Sequence, residues 1–228
     1  MTDLVIISAS YKRPLVTKLF ALGIERLRKE YGYFPVVVSG DDISPFEGHQ
    51  IDFLYKDNHP VSDKFNSSLL ASMDYSPRYI MVLGSDDLIP SDVFGEYLNN
   101  LDVDYLGVKS VLYYSLEGAS KGMARMQNTS IIIGAGRTFS VELLKKSKNY
   151  LNLWDKPKDR ALDNLMYSKL RHNISSSKEI SGHIIDIKTK VNINAFNRWN
   201  IEGFFPEKDI WDMLSEEEVE LIKQIKTT

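Results

Sequence analysis

Residues 79–87, Tyr79-Ile80-Met81-Val82-Leu83-Gly84-Ser85-Asp86-Asp87, pass from an unbroken apolar run into two adjacent carboxylates. A short run of this kind predicts a strand buried on both faces, as parallel sheets require. Ligands of open α/β sheets bind outside the carboxyl ends of such strands. Working outward, the pattern recurs twice. Asp3-Leu4-Val5-Ile6-Ile7-Ser8-Ala9 leads into Ser10-Tyr11-Lys12-Arg13-Pro14, and Pro35-Val36-Val37-Val38 leads into Ser39-Gly40-Asp41-Asp42. Pro14 suits the first turn of a helix, and Val16, Leu19, Phe20, Gly23 and Leu27 follow at helical spacing. Residues 52–55 read as a short strand. Asp63 reads as the cap of a helix in which Phe65, Leu69 and Met73 share a face, and Pro90 opens another helix. The alternation predicts an α/β fold, doubly wound around a mostly parallel sheet, with the polar clusters 8–13, 39–42 and 84–87 on one edge.

The second half is less regular and reads as α+β. Residues 104–108 and 111–114 look like strands. The apolar Ser130-Ile131-Ile132-Ile133 precedes Gly134-Ala135-Gly136-Arg137, and helices start at Val141 and cover 162–170. Residues 180–193 alternate loosely as a strand, and 195–212 are aromatic and Asn-rich without a clear period. Ser215-Glu216-Glu217-Glu218 is a capping box before an apolar stripe. The expected organisation is a donor-binding part (1–108), an acceptor-binding and catalytic part (109–212) and a terminal amphipathic helix (213–228), within one compact domain.

The chain has 228 residues and a formal net charge of −3. That balance hides a division. Residues 1–108 carry 9 basic and 16 acidic residues, 109–190 carry 15 and 7, and 191–228 carry 4 and 8. The pattern suits a solvated surface, and equally an acidic cation-binding half beside a basic half that faces an anion. Absence of cysteine excludes a disulfide framework, a thiolate zinc site and a cysteine nucleophile. With only four histidines, carboxylates and hydroxyls are left to carry the chemistry. No run of about 18 apolar residues spans a membrane, and the N-terminus lacks the features of a secretory signal. A cytoplasmic protein is expected.

Asp86 and Asp87 after a buried strand are costly unless solvated or neutralised. A hard divalent cation such as Mg²⁺ or Mn²⁺ neutralises them and also binds substrate phosphates; Gly-Ser-Asp-Asp suits a turn as well. Ser8, Ser10, Tyr11 and Arg13 offer hydroxyls, a ring and a cation ahead of a helix, which suits a nucleotide and its phosphates or simply a polar loop. No dinucleotide-binding or Walker A pattern is present. Lys64 and Asn66 stand in the first turn of a helix after His59-Pro60, where they suit a phosphate or sugar hydroxyl, or a capped surface helix.

Together these segments resemble the GT-A class of nucleotide-sugar glycosyltransferases, especially its family-two-like group, over about residues 4–95 and more faintly over 130–190. The resemblance implies metal-dependent, inverting transfer of a sugar from a nucleoside-diphosphate sugar to an acceptor hydroxyl. Asp86 and Asp87 would hold Mn²⁺ or Mg²⁺, although the family often has an Asp at the position of Gly84. Asp41 would face the base, with Asp42 as its rival, and Ser85 would join the donor site. Asp163 would be the general base, and a late histidine, His183, a further metal ligand. Trp199, Phe204, Phe205 and Trp211 read as core or as an acceptor groove. The basic middle segment favours an anionic acceptor such as nucleic acid (a hydroxylated DNA base included), a lipid-linked phosphate or a charged glycan. A nucleotidyltransferase is the competing enzyme, though it calls for a Gly-rich loop after the first strand. A non-catalytic carbohydrate- or nucleic-acid-binding protein on the same scaffold is the other alternative.

Overall fold

The structure, a computed structural model, describes residues 2–227 except 59, 156, 160 and 191–202. The expectations for His59, Arg160 and Trp199 lie outside the described residues. In chain order the strands are β1 (Thr2–Ala9), β2 (Val36–Gly40), β3 (Asp52–Tyr55), β4 (Pro77–Val82), β5 (Asp87–Leu88), β6 (Tyr105–Val108), β7 (Ser110–Ser115), β8 (Ala124–Asn128), β9 (Arg137–Ser140), β10 (Ser177–Ile180), β11 (Ile184–Lys188) and β12 (Gly203–Phe205). The helices are α1 (Pro14–Tyr31), α2 (Val61–Ser72), α3 (Ser91–Asn99), α4 (Val141–Lys145), α5 (Leu162–Leu170), α6 (Glu207–Trp211) and α7 (Glu216–Thr227).

The first sheet has seven strands in the order β10-β6-β9-β4-β1-β2-β3. Strands β1 to β4 run parallel, β10 runs parallel to β6, and β9 is antiparallel to β4 and β6. Successive side chains of a strand point to opposite faces, and both faces of this sheet are covered. Leu4, Ile6, Val36, Val38 and Met81 pack with residues of α1 and α3. Val5, Ile7, Val37, Ile80 and Val82 pack with residues of α2, α4 and α5. Each such buried aliphatic side chain contributes about 1.5–3 kcal/mol. The continuous apolar runs therefore mark the middle of a three-layer α/β/α sandwich.

A second sheet of five strands, β12-β8-β7-β11-β5, packs on α1, α6 and α7. The capping box forms as read: the Glu218 N–H donates to Ser215 Oγ (3.2 Å) and the Ser215 N–H to Glu218 Oε2 (2.7 Å). The fully buried Glu218 also accepts from Arg26 of α1 at 2.7 Å, which docks α7. Among the described residues, no helix is long and apolar enough to cross a membrane.

Three local readings are revised. Helix α2 begins at Val61, whose N–H donates to Asp159 Oδ1 (2.9 Å), so Asp63 lies in its first turn and is not its cap. The loose strand of 180–193 is broken at Gly182, whose φ of 96° belongs to the left-handed region. The chain there leaves the first sheet as β10 and enters the second as β11. The apolar run 131–133 is not a strand. Its neighbours β8 and β9 are, and they carry Arg, Gln and Thr, which hid them from a search for apolar runs.

Candidate active site

A cleft of about 670 Å³ opens where the carboxyl ends of β1 and β4 meet the second sheet. It gathers Ser10, Tyr11, Arg13, Lys64, Asp86, Asp87 and Asp163 from four sequence neighbourhoods spread over 154 positions of chain. It also holds residues that the sequence reading missed: Tyr113 of β7, Arg137 of β9, Asp159, and Asp186 and Lys188 of β11.

The turn after β4 builds one end of it. The Asp87 N–H closes the turn on the Gly84 carbonyl (3.0 Å), and the Gly84 N–H donates to Asp87 Oδ2 at 2.8 Å. A Cβ at position 84 would lie 2.7 Å from Asp87 Oδ2 and 2.8 Å from Asp86 Oδ1. A side chain here, where the resembling family often has Asp, would therefore displace both carboxylates, which fold back over this backbone. Asp86 accepts from Arg13 Nη1 at 2.6 Å. Asp87 is the register partner of Asp186 across the antiparallel β5–β11 pairing. Asp186 accepts from Lys188 Nζ at 2.6 Å through Oδ2, while its buried Oδ1 has no partner.

This end holds three carboxylates and two cations, and their proton affinities diverge. Burial works to raise all three carboxylates. At Asp86 the positive charges of Arg13 and Lys188 outweigh it and hold the carboxyl below its ordinary range. At Asp87, burial and the facing charges of Asp186 and Asp86 push the carboxyl well above that range. Burial pushes Asp186 up to about 7 despite Lys188. Asp87 and Asp186 thus form an acidic pair with one lysine, Lys188, for two carboxylates, and a divalent cation would neutralise the excess. Among the described residues no three His, Cys, Asp or Glu side chains are placed to cage a metal by themselves. The donor set fits Mg²⁺ or Mn²⁺ held by one or two of these carboxylates, with the remaining positions left to water and phosphate oxygens.

Elsewhere in the wall, α5 places Asp163 in its first turn. The side chain is open to water through the mouth of the cleft. Protein atoms surround it otherwise, and that desolvation raises its carboxyl, with Arg137 opposing. Gly134 makes room for this carboxylate, since a Cβ there would overlap it. Arg137, almost fully buried, donates to the Asp163 carbonyl (2.9 Å) and the Ile132 carbonyl (2.8 Å), tying the start of α5 to the 131–137 loop.

Lys64 has a different place from a surface phosphate ligand. It is 1% exposed, and its amine donates to the Ser10 carbonyl (2.6 Å) and to Asn58 Oδ1 (2.7 Å). Burial lowers its affinity for the proton, with Asp41 opposing. Asn58 in turn donates to Asp41 Oδ2 at 2.8 Å. This chain of bonds fixes the loop that carries Tyr11.

Five predicted residues are not in the cleft wall. Ser8 and Ser85 are buried with unpartnered hydroxyls. Asp41 is exposed beside Asn58. Asn66 donates to Asn152 Oδ1 (2.7 Å) and to the Trp154 carbonyl (2.9 Å), bracketing that loop to α2. His183 stands with Nδ1 2.6 Å from Ser110 Oγ and its ring edge-on to Phe205, and burial lowers its proton affinity. The signal for its neighbours was legible: Asp186 and Lys188 are two apart in a strand and so share a face.

No protein-family model and no curated protein sequence matches the chain. Solved structures do match. TarS 1–349 of S. aureus aligns with a TM-score of 0.53 at 14% identity, over 98% of this chain and 64% of that one. Mannosyltransferase PcManGT of Pyrobaculum calidifontis, in complex with GDP-Man and Mn²⁺, gives 0.54 at 13% identity, over 83% and 58%. The 4-diphosphocytidyl-2C-methyl-D-erythritol synthase of Anaerococcus prevotii DSM 20548 gives 0.52 at 9% identity, over 99% and 96%. The chain spans less than two thirds of the first two. The likeness is one of fold, and the chain has a GT-A-like α/β fold.

Proposed function

We propose that the protein transfers a sugar from a nucleoside-diphosphate sugar to an acceptor hydroxyl. One observation carries this reading: a single cleft unites a carboxylate cluster suited to a divalent cation with a separate carboxylate, Asp163, that has no ion-pair partner among the described residues. Tyr11 offers a ring to the nucleotide, and Lys64 fixes its loop. Arg13 and Lys188 bring positive charge to the place of the diphosphate. One or two of Asp86, Asp87 and Asp186 would hold Mn²⁺ or Mg²⁺, with water and phosphate oxygens completing the shell, and the bound ion would supply further positive charge against the leaving diphosphate. As the bond from the anomeric carbon to the diphosphate breaks, its electron pair leaves with the diphosphate. Arg13 and Lys188 favour that charge. Asp163 accepts the acceptor's hydroxyl proton as the new bond to carbon forms. Its proton affinity, raised by desolvation, suits a general base. Attack on the face opposite the leaving group gives inversion.

The fold likeness to TarS and to the mannosyltransferase supports this reading. The likeness to the synthase supports nucleotidyl transfer as the second. A screen of nucleoside-diphosphate sugars with Mn²⁺ separates them. Release of nucleoside diphosphate from one of them supports sugar transfer. Pyrophosphate release from nucleoside triphosphates alone would replace it with nucleotidyl transfer, and no turnover of either class would contradict both.

A further inference from the structure

A second pocket, of about 310 Å³, lies beside the cleft and shares Ile131, Ile132 and Arg137 with it. The pairing of β6 with β10 builds its floor, with Tyr105 beside Ser177 and Gly107 beside Glu179. Period-2 alternation puts Tyr105 and Gly107 on one face. A Cβ on Gly107 would meet Ile132 Cγ2 at 2.5 Å and push it aside, and Ile132 is the partition between the two pockets. Helix α5 adds Tyr167, whose ring centroid is 5.9 Å from that of Tyr105. The Arg137 guanidinium lies over both rings, 5.8 and 5.6 Å from their centroids.

The charge of this pocket is one-sided. Lys109, Arg137 and Arg171 line it against a single acid, Glu179, which Lys109 already pairs at 2.7 Å. Arg137 donates only to carbonyls, and its Nε is buried without a partner, as is the Tyr105 hydroxyl. Arg171 is exposed at the rim. Among the described residues neither guanidinium has a carboxylate partner, Arg171 Nε donating to His172 Nε2 (3.2 Å), and on walls of tyrosine and isoleucine the two complement an anionic group attached to an apolar or aromatic body.

We propose that this side pocket binds the anionic group of the acceptor, a phosphate or a carboxylate, and so directs the acceptor hydroxyl to Asp163 across the Ile131–Ile132 partition. The anion site stands on the geometry above; that the anion belongs to the acceptor rests on the transferase reading. Phenyl phosphate, benzoate and benzyl alcohol serve as probes, titrated by calorimetry into the full chain and into Arg171→Glu, with thermal unfolding as the control for folding. One of the two anions is expected to bind more tightly than benzyl alcohol. Arg171→Glu should weaken it about tenfold, Arg171→Lys should weaken it less, and a saturating nucleoside diphosphate should not displace it. The tighter of the two anions identifies the group. Equal anion affinity in the wild type and Arg171→Glu, displacement by the nucleoside diphosphate, or no preference over benzyl alcohol would overturn the site. Absence of sugar transfer with Arg171-dependent anion binding intact would remove the transferase reading and leave the anion site standing.

Discussion

Asp87 and Asp186 face each other as register partners across two antiparallel strands, two carboxylates on one face of a sheet. Directly opposed like charges destabilise a sheet. Burial and the facing charge of Asp186 raise the proton affinity of Asp87, and burial with the charge of Asp86 raises that of Asp186 to about 7 despite Lys188. An acid whose proton affinity is higher folded than unfolded stabilises the fold most when protonated, below about pH 4. That contribution is lost as the pH rises through about 7 for Asp186. Without divalent cations, the melting temperature should therefore fall from pH 5 to pH 8. Asp87→Asn keeps an acceptor for the Gly84 N–H and removes one charge. It should melt at least ~3 °C above the wild type at pH 8, with the difference closing towards pH 4. Millimolar Mn²⁺ should raise the wild type at pH 8 and leave Asp87→Asn unmoved. Thermal unfolding across this pH range checks each point.

Asp163→Asn should lower transfer by about 10²–10⁴-fold with nucleoside-diphosphate binding unchanged. The base works only when ionised. The wild-type rate should fall as the pH drops through a value above the ordinary carboxylate range, because burial raises Asp163. A pH–rate profile of kcat checks the direction.

Gly134→Ala tests the same carboxylate from the other side. A Cβ at 134 overlaps the Asp163 carboxylate, so the side chain must move. A displacement of about 1 Å costs on the order of 10²-fold in rate. Transfer should fall while donor affinity and melting temperature stay close to the wild type, as kinetics beside calorimetry will show.

Lys64→Met removes the donor to the Ser10 carbonyl and Asn58 Oδ1 inside the fold. Leaving buried acceptors unpaired costs about 1–3 kcal/mol. The variant should be less stable in denaturant titration, and its affinity for nucleotide should fall because Tyr11 loses its fixed loop.

The parallel core was legible because its strands are buried on both faces. Val5-Ile6-Ile7, Val36-Val37-Val38 and Ile80-Met81-Val82 read as strands with no tertiary information. The carboxylates after β4 were legible for a related reason, since polar groups at strand ends face the ligand edge, whereas Asp163 was legible only through the resemblance to the GT-A class. What escaped was set by cross-sheet contacts. Asp186 joins Asp87 only because the chain switches sheets at Gly182, and Arg137 reaches Asp163 only because β9 inserts antiparallel beside β4. The crowding at Gly84 likewise follows from two side chains folding back, which spacing does not encode.

The central claim is that the carboxylate cluster recruits a divalent cation to hold a nucleoside diphosphate in the cleft. Calorimetric titration of nucleoside diphosphates into wild type and Asp87→Ala, with Mn²⁺ and with a chelator, tests it most directly. The account predicts binding of at least one nucleoside diphosphate that needs Mn²⁺ and is lost in Asp87→Ala. Binding of equal strength with the chelator, or in Asp87→Ala, would contradict it.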